Sequence, residues 1–238
     1  MMHVLAFGFV PMFDPLYLLF LAPGMLLALW AEAKVKSAYH AASQRPAGSG
    51  LTGAEAAQRI LDASGIEDVS IEPAKSFLGD HYDPRNKVLR LSPDVYAGRS
   101  LASLGIAAHE VGHAIQHATR YHALALRSGL LPVAAYGSQF SFILIIAGLM
   151  LAPLKALAWV GLLLFAVAVL FQVVTLPVEL DASRRARAIL LRMGMVSSSE
   201  EVVVGKVLNA AALTYVAAAV TALLQLLYFA SLIMGRRN

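Results

Sequence analysis

The sequence contains no cysteine among its 238 residues, and only 14% of them are charged. The missing cysteine excludes disulfides, thiolate metal ligands and cysteine nucleophiles. A soluble domain carries about a quarter charged residues, so the low charge is untypical of that class. The composition therefore favours a membrane protein.

Charged residues are missing altogether from three long stretches. Residues 128–154, 156–178 and 207–235 contain no Asp, Glu, Lys or Arg, and each exceeds the ~20 residues that span a bilayer. Residues 15–31 form a shorter block, and because no basic segment precedes it we expect a retained anchor rather than a cleaved signal. The sequence predicts a mainly α, polytopic membrane protein with four transmembrane helices and a small α+β core between them.

The basic residues are unevenly distributed around these stretches. Eleven Lys and Arg lie within residues 32–127 and five within 179–206, against Lys155, Arg236 and Arg237 elsewhere. The positive-inside rule then puts both basic regions in the cytoplasm, so the net charge of +4 reflects topology rather than nucleic-acid binding. The predicted segments are a first span (1–31), a cytoplasmic region (32–128), a transmembrane hairpin (129–178), a cytoplasmic helix (179–206) and a last span (207–238).

The pattern His-Glu-x-x-His occupies His109, Glu110 and His113. On a helix, residues four apart leave the same face, so both imidazoles can reach one cation. Zn²⁺ held in this way takes a third protein ligand and keeps one position for water. The Glu110 carboxylate lies where it can take a proton from that water. The pattern predicts a zinc-dependent hydrolase; the structural alternative is a core helix whose histidines only form hydrogen bonds.

The neighbouring sequence predicts where this helix begins and that a small sheet precedes it. Ser100 is a suitable N-cap, and residues 101–127 continue without proline toward the second span. Residues 69–72 and 87–92 alternate in polarity on either side of a turn-like 83–86 segment, which predicts a small antiparallel sheet of two or three strands. An edge strand beside the metal could hold an extended peptide through its backbone, or could only cover the helix.

The third metal ligand must be a carboxylate, because no histidine follows His122 and His117 lies about 12 Å along the helix from His109. Of the later acids, Glu200 and Glu201 follow a serine run and are typical first-turn residues of a helix.

The two remaining acids lie at the end of the third apolar stretch. Glu179 follows that stretch directly, where an unpaired carboxylate is costly, so it is the favoured ligand and Asp181 is the alternative. Ser183, one turn after Glu179, shares its face and could orient a metal-binding histidine.

Four runs resemble a known family: DHYDP at 80–84 followed by VLRLS at 88–92, AAHEVGHAIQ at 107–116, LPVELDASRRA at 176–186 and AAALTYVAA at 210–218. They are similar to the YugP-type neutral zinc metallopeptidases of bacterial membranes, over nearly the whole chain. That family is more distantly similar to membrane gluzincins of the HtpX and CAAX-prenyl-protease kind, in which a Glu and an Asp four residues later supply the third ligand and its supporting group. The resemblance implies peptidase activity, with Glu179 as the ligand and Ser183 in the place of that Asp.

We therefore expect a zinc metallopeptidase of the bacterial inner membrane, with a small α+β, zincin-like catalytic core whose site faces the cytoplasm near the bilayer. Its partners would be the lipid bilayer and membrane-associated protein or peptide substrates, with no nucleic acid; an oligomer or a partner membrane protein stays open. An inactive, zinc-stabilised scaffold or chaperone partner is the alternative function. A transporter is disfavoured because the apolar stretches contain no charged groups. The candidates for stabilising the oxyanion are Arg184, Arg187, Tyr215 and His81.

Overall fold

The computed structural model describes residues 15–74 and 79–235, and it is mainly helical. The predicted start of the first domain at residue 1 and the basic residues Arg236 and Arg237 lie outside the described residues. In chain order the elements are α1 (Pro15–Ser43), α2 (Gly53–Ala63), β1 (Ser70–Pro73), β2 (His81–Asp83), β3 (Val88–Leu91), α3 (Pro93–Tyr96), α4 (Leu101–Ala118), α5 (His122–Met150), a 3₁₀ turn (Ala152–Leu154), α6 (Lys155–Arg192) and α7 (Ser198–Gly235).

Four of the helices, α1, α5, α6 and α7, are long and apolar enough to cross a membrane. They coincide with the four apolar stretches of the sequence, so the predicted fold class is confirmed. Leu19, Leu26 and Leu163 are among their exposed side chains, as expected for helices whose outer faces meet lipid rather than water.

The chain divides into two compact units. Among the described residues, the first contains 15–30, 126–175 and 214–235, and the second contains 31–74, 79–125 and 176–213. In the first unit, Ile145, Tyr228 and Phe229 form a buried cluster. Also in this unit, Gly24 lies so close to Thr221 that a Cβ at position 24 would come 2.5 Å from the threonine hydroxyl.

The second unit has its own hydrophobic core, built on α2, α4 and the sheet. α2 begins at the predicted capping box: the Glu55 amide donates to Thr52 Oγ1 at 3.1 Å, and the Thr52 amide donates to the Glu55 carboxylate at 2.7 Å. Two orphan amides of the helix terminus are satisfied in this way. Ile60, Leu89 and Leu104, one each from α2, β3 and α4, are fully buried.

The sheet has three strands in the order β1-β3-β2, and only part of its predicted pairing is correct. β2 and β3 are antiparallel, joined by the expected turn, in which Asp83 Oδ1 accepts from the Arg85 amide at 3.0 Å. Hydrogen bonds from Asn86 lower the pKa of Asp83 to about 2. β1 pairs with β3 in parallel, which corrects the antiparallel prediction. Residues 74–87 separate these two strands, and a connection of that length permits a parallel crossover that a tight turn would forbid.

α4 begins where the sequence predicts, with the Ser103 amide donating to Ser100 Oγ at 3.1 Å. It ends at Ala118, well before Arg127. Thr119 Oγ1 donates to the Ile115 carbonyl at 2.8 Å, and Arg120 adopts a φ of 53°, a left-handed conformation that interrupts the helix. The span helix α5 therefore starts at His122 as a separate element.

α6 is a single helix that passes through Pro177 and continues to Arg192. In the last part of this helix, Glu179 and Ser183 lie one turn apart and share a face. α7 likewise begins before its apolar stretch, with Glu200 and Glu201 in the first turn as predicted.

Candidate metal centre

The site forms where α4 and α6 approach each other closely. A Cβ on Gly112 would lie 2.8 Å from the Ala182 carbonyl oxygen and 3.2 Å from its Cα, so only glycine allows this approach. Gly112 lies between His109 and His113 in the helix, and Ala182 lies between Glu179 and Ser183. The close contact therefore brings the two histidines against the acidic face of α6.

His109, His113 and Glu179 bring one ligand atom each to within 4.8 Å of one another. Glu179 Oε2 lies 3.3 Å from His109 Nε2 and 3.6 Å from His113 Nε2. Four tetrahedral ligands at 2.0–2.1 Å from Zn²⁺ are roughly 3.3 Å apart, so both spacings suit that ion. Two imidazoles and a carboxylate are also a donor set that zinc accepts.

The electrostatics of the group also favour a bound cation. The Glu179 side chain is only 4% exposed, and a buried carboxylate requires a positive partner. Burial opposes a charge on His113, but the carboxylates of Glu179 and Glu110 offset this and raise the pKa of His113. The same two carboxylates would favour a bound cation at this position.

The second ring nitrogen of each histidine also has a partner. His109 Nδ1 lies 3.1 Å from Ser183 Oγ, the contact expected from the position of Ser183 on α6. His113 Nδ1 lies 3.0 Å from Gln116 Oε1. Asp181, the alternative ligand, is directed to Gln116 at 3.0 Å and to Arg185, so among the described residues it is Glu179 that joins the histidine pair.

Glu110 is buried beside this group, on the same turn of α4 as His109. Its Oε2 accepts a hydrogen bond from the Tyr82 amide at 3.1 Å. Tyr82 is opposite Leu89 in the antiparallel pair, and its amide points away from β3 toward the helix. The outer edge of β2 therefore holds the Glu110 carboxylate in place and leaves Oε1 for other partners.

The four oxyanion candidates are placed differently. Arg184 is paired with Asp181, and Arg187 Nε lies 2.5 Å from Glu201 Oε1 on α7. His81 is exposed on β2, where its Nδ1 lies 2.6 Å from the Gly79 carbonyl oxygen. Tyr215 belongs to the other unit. A role for any of them in stabilising an oxyanion stays a prediction.

Two polar pairs near Glu110 were not predicted from the sequence. The Tyr82 hydroxyl lies 2.8 Å from His117 Nδ1, and Asp80 accepts from the Ser92 amide at 2.7 Å and the Ser92 hydroxyl at 3.0 Å. Burial raises the pKa of Asp80, although the Ser92 hydrogen bonds oppose the shift. In the sequence, only the DHYDP run at 80–84 pointed to these contacts, because residue spacing within a strand does not predict the helix on which that strand packs.

We expect Gly112→Ala to destabilise the second unit and to weaken zinc binding. The added methyl group would meet the backbone of Ala182, and forcing an extra carbon into a packed contact costs about 1–3 kcal/mol of unfolding free energy. Thermal unfolding of the metal-free protein and zinc competition with a chromophoric chelator measure the two effects.

Gly129→Ala is the matched control, because a Cβ at that position of α5 meets nothing within 4 Å. It should not lower stability, since alanine is the better helix former. Equal behaviour of the two variants would contradict the inferred role of the α4–α6 approach.

Comparisons with known proteins identify the family to which the chain belongs. Residues 17–234 match the family model described as "Putative neutral zinc metallopeptidase". The chain is 47% identical over 212 residues to a protein of Bacillus subtilis (strain 168) named "Putative membrane protease YugP", and the alignment covers 89% of this chain and 94% of that protein. No solved structure matches. The family resemblance predicted from the sequence motifs is thereby confirmed, and the chain belongs to the neutral zinc metallopeptidase family.

Proposed function

We propose that the protein is a membrane-embedded zinc metallopeptidase that cleaves protein substrates close to the bilayer. The observation that carries this proposal is the convergence of His109, His113 and Glu179 within 4.8 Å, with Glu110 buried on the same helix turn. His109, His113 and Glu179 would hold the zinc ion. When bound, zinc supplies Lewis-acid activation of water and of the scissile carbonyl group.

Glu110 is proposed as the general base and then the general acid. One carboxylate oxygen is held by the Tyr82 amide, so the other is available to accept a proton from the attacking water. The water oxygen bonds to the carbonyl carbon, the C–N bond breaks, and Glu110 delivers the proton to the leaving amine. Glu110 thus moves one proton per turnover and ends in its starting state.

An inactive zinc-stabilised scaffold is the alternative function, and the donor set argues against it. A structural zinc is closed by four protein ligands, whereas a catalytic zinc has three and one open position. Among residues 15–74 and 79–235, the grouped ligands are two histidines and one glutamate. A structural zinc site also needs no general base, whereas Glu110 is a buried carboxylate next to these ligands.

The position of Glu179 supports a membrane-proximal substrate. It directly follows the apolar residues 156–178 within α6, one of the candidate membrane helices. The eleven basic residues within 32–127 and the five within 179–206 favour a cytoplasmic site by the positive-inside rule. The substrates we propose are therefore membrane proteins or their cytoplasmic segments.

The test compares two substrates that share one cleavable segment, with and without a membrane anchor. The full chain in liposomes should cleave the anchored substrate faster, lose all activity with a zinc chelator, and regain it when Zn²⁺ is restored. Equal rates for both substrates would contradict the membrane-proximal assignment. Cleavage that persists in the metal-free protein would contradict the metallopeptidase itself.

A further inference from the structure

A fully buried glutamine, Gln116, joins the metal centre to the acidic segment of α6. It has no solvent exposure and lies one turn after His113 on α4. Its Nε2 donates to the Val178 carbonyl at 2.8 Å and to Asp181 Oδ2 at 3.0 Å, and its Oε1 lies 3.0 Å from His113 Nδ1. All its polar atoms are thus paired without water.

These partners fix which way the amide group points. Val178 O and the Asp181 carboxylate are both acceptors, so the side facing them must be the NH₂ group with its two donors. The opposite orientation would bring an oxygen against two oxygens in a buried space, at the cost of both hydrogen bonds. Gln116 Oε1 therefore faces His113 and can only accept.

The amide in turn sets the tautomer of His113. Because Oε1 accepts, Nδ1 of His113 carries the hydrogen, and Nε2 is the nitrogen whose lone pair is available for a metal. Nε2 is also the atom that faces Glu179, at 3.6 Å. The tautomer of His109 is less restricted, because the Ser183 hydroxyl beside its Nδ1 can donate as well as accept a hydrogen bond.

Asp181 is anchored from the other side. Its carboxylate accepts from Arg185 Nε at 2.5 Å and from Arg184, and only 5% of its side chain is exposed. A buried carboxylate held by two guanidinium groups is a stable acceptor. The order Arg185, Asp181, Gln116, His113 therefore forms one continuous hydrogen-bonded chain from the surface of α6 to the metal centre.

We propose that Gln116 and Asp181 are positioning residues that fix the metal-binding tautomer and ring orientation of His113. The inference rests on the proposed zinc site but not on peptide cleavage. Groups that orient a metal-binding histidine typically change metal affinity by about 10- to 100-fold when removed.

The first test is Gln116→Met, which keeps the volume and removes both polar atoms. We expect the zinc Kd of the full chain in detergent, measured by competition with a chromophoric chelator, to rise about 10- to 100-fold. The visible absorption of the Co²⁺-substituted protein should change as well. Gln58→Met is the matched control, because Gln58 is an exposed glutamine of α2 whose Nε2 donates to Asp62 at 2.8 Å.

The second test exchanges the amide of Gln116 and the carboxylate of Asp181. In Gln116→Glu, a carboxylate faces both Asp181 and the Val178 carbonyl, so zinc binding should weaken. Adding Asp181→Asn keeps the summed charge of the wild-type pair and removes the contact between two carboxylates, while the carboxylate at position 116 can still accept from His113 Nδ1. The double variant should therefore bind zinc more tightly than Gln116→Glu alone, a coupling that independent sites would not show.

The outcomes separate this proposal from its competitors. If Gln116 only packs α4 against α6, Gln116→Met lowers the melting temperature of the metal-free protein but leaves the zinc Kd and Co²⁺ spectrum unchanged, which overturns the proposal. Failure of the exchange to recover binding also overturns it. A wild-type chain that binds zinc tightly without cleaving peptides would refute the peptidase and leave the positioning role standing.

Discussion

Replacing Glu110 with glutamine is expected to lower kcat for peptide hydrolysis by about 10²- to 10⁴-fold while zinc stays bound. Glutamine has the same size, and its amide oxygen can still accept the Tyr82 amide that now holds Glu110 Oε2 at 3.1 Å. It cannot accept a proton from water at neutral pH. The fold and the three-ligand group should thus persist while proton transfer is lost.

The measurement pairs steady-state kinetics with zinc stoichiometry on the same purified sample. Glu67→Gln is the matched control, since it makes the same chemical change at an exposed position and should retain wild-type kinetics. Undiminished kcat in the zinc-loaded Glu110→Gln protein would rule out Glu110 as the base. Loss of zinc together with activity would instead mean that Glu110 helps to assemble the site.

The local features of the fold could be predicted because each depends on neighbouring residues. The capping box at Thr52 and Glu55 and the cap at Ser100 are satisfied within three residues. The shared face of His109 and His113 follows from helix geometry alone. The four apolar stretches predict the candidate membrane helices because bilayer thickness sets their length.

The features that could not be predicted depend on contacts between distant segments. The parallel pairing of β1 with β3 depends on which side of β3 the chain returns to, and alternation in polarity is the same for both directions. The end of α4 at Ala118 depends on the left-handed Arg120, a conformation for which arginine has no preference.

The residues of the candidate site likewise divide into those that local sequence predicts and those that depend on contacts between distant segments. Its histidines and Glu110 lie within one motif, and the cost of an unpaired acid at the end of an apolar stretch singled out Glu179. Gln116 was overlooked because a glutamine at that spacing on a helix usually faces water. Only the packing of α6 on Gly112 shows that this side of α4 is buried and that the amide has partners.

Glu179→Gln should lower zinc affinity by more than about 100-fold, the upper limit typical of groups that only orient a ligand. An amide oxygen is neutral and a poorer zinc donor than a carboxylate, and two histidines alone leave half of a tetrahedral shell without protein ligands. Cleavage should disappear at zinc concentrations that saturate the wild-type protein.

Asp181→Asn is the decisive comparison, because Asp181 was the alternative ligand and lies only two residues away on α6. Its remaining oxygen can still accept from Gln116 and Arg185, so the zinc Kd should rise by no more than about 10-fold, the lower limit for an orienting group. Zinc titrations of both variants measure which of the two substitutions lowers zinc affinity more. If Asp181→Asn loses more affinity than Glu179→Gln, the carboxylate that completes the site has been misassigned, because a group that acts only through Gln116 cannot matter more than a direct ligand.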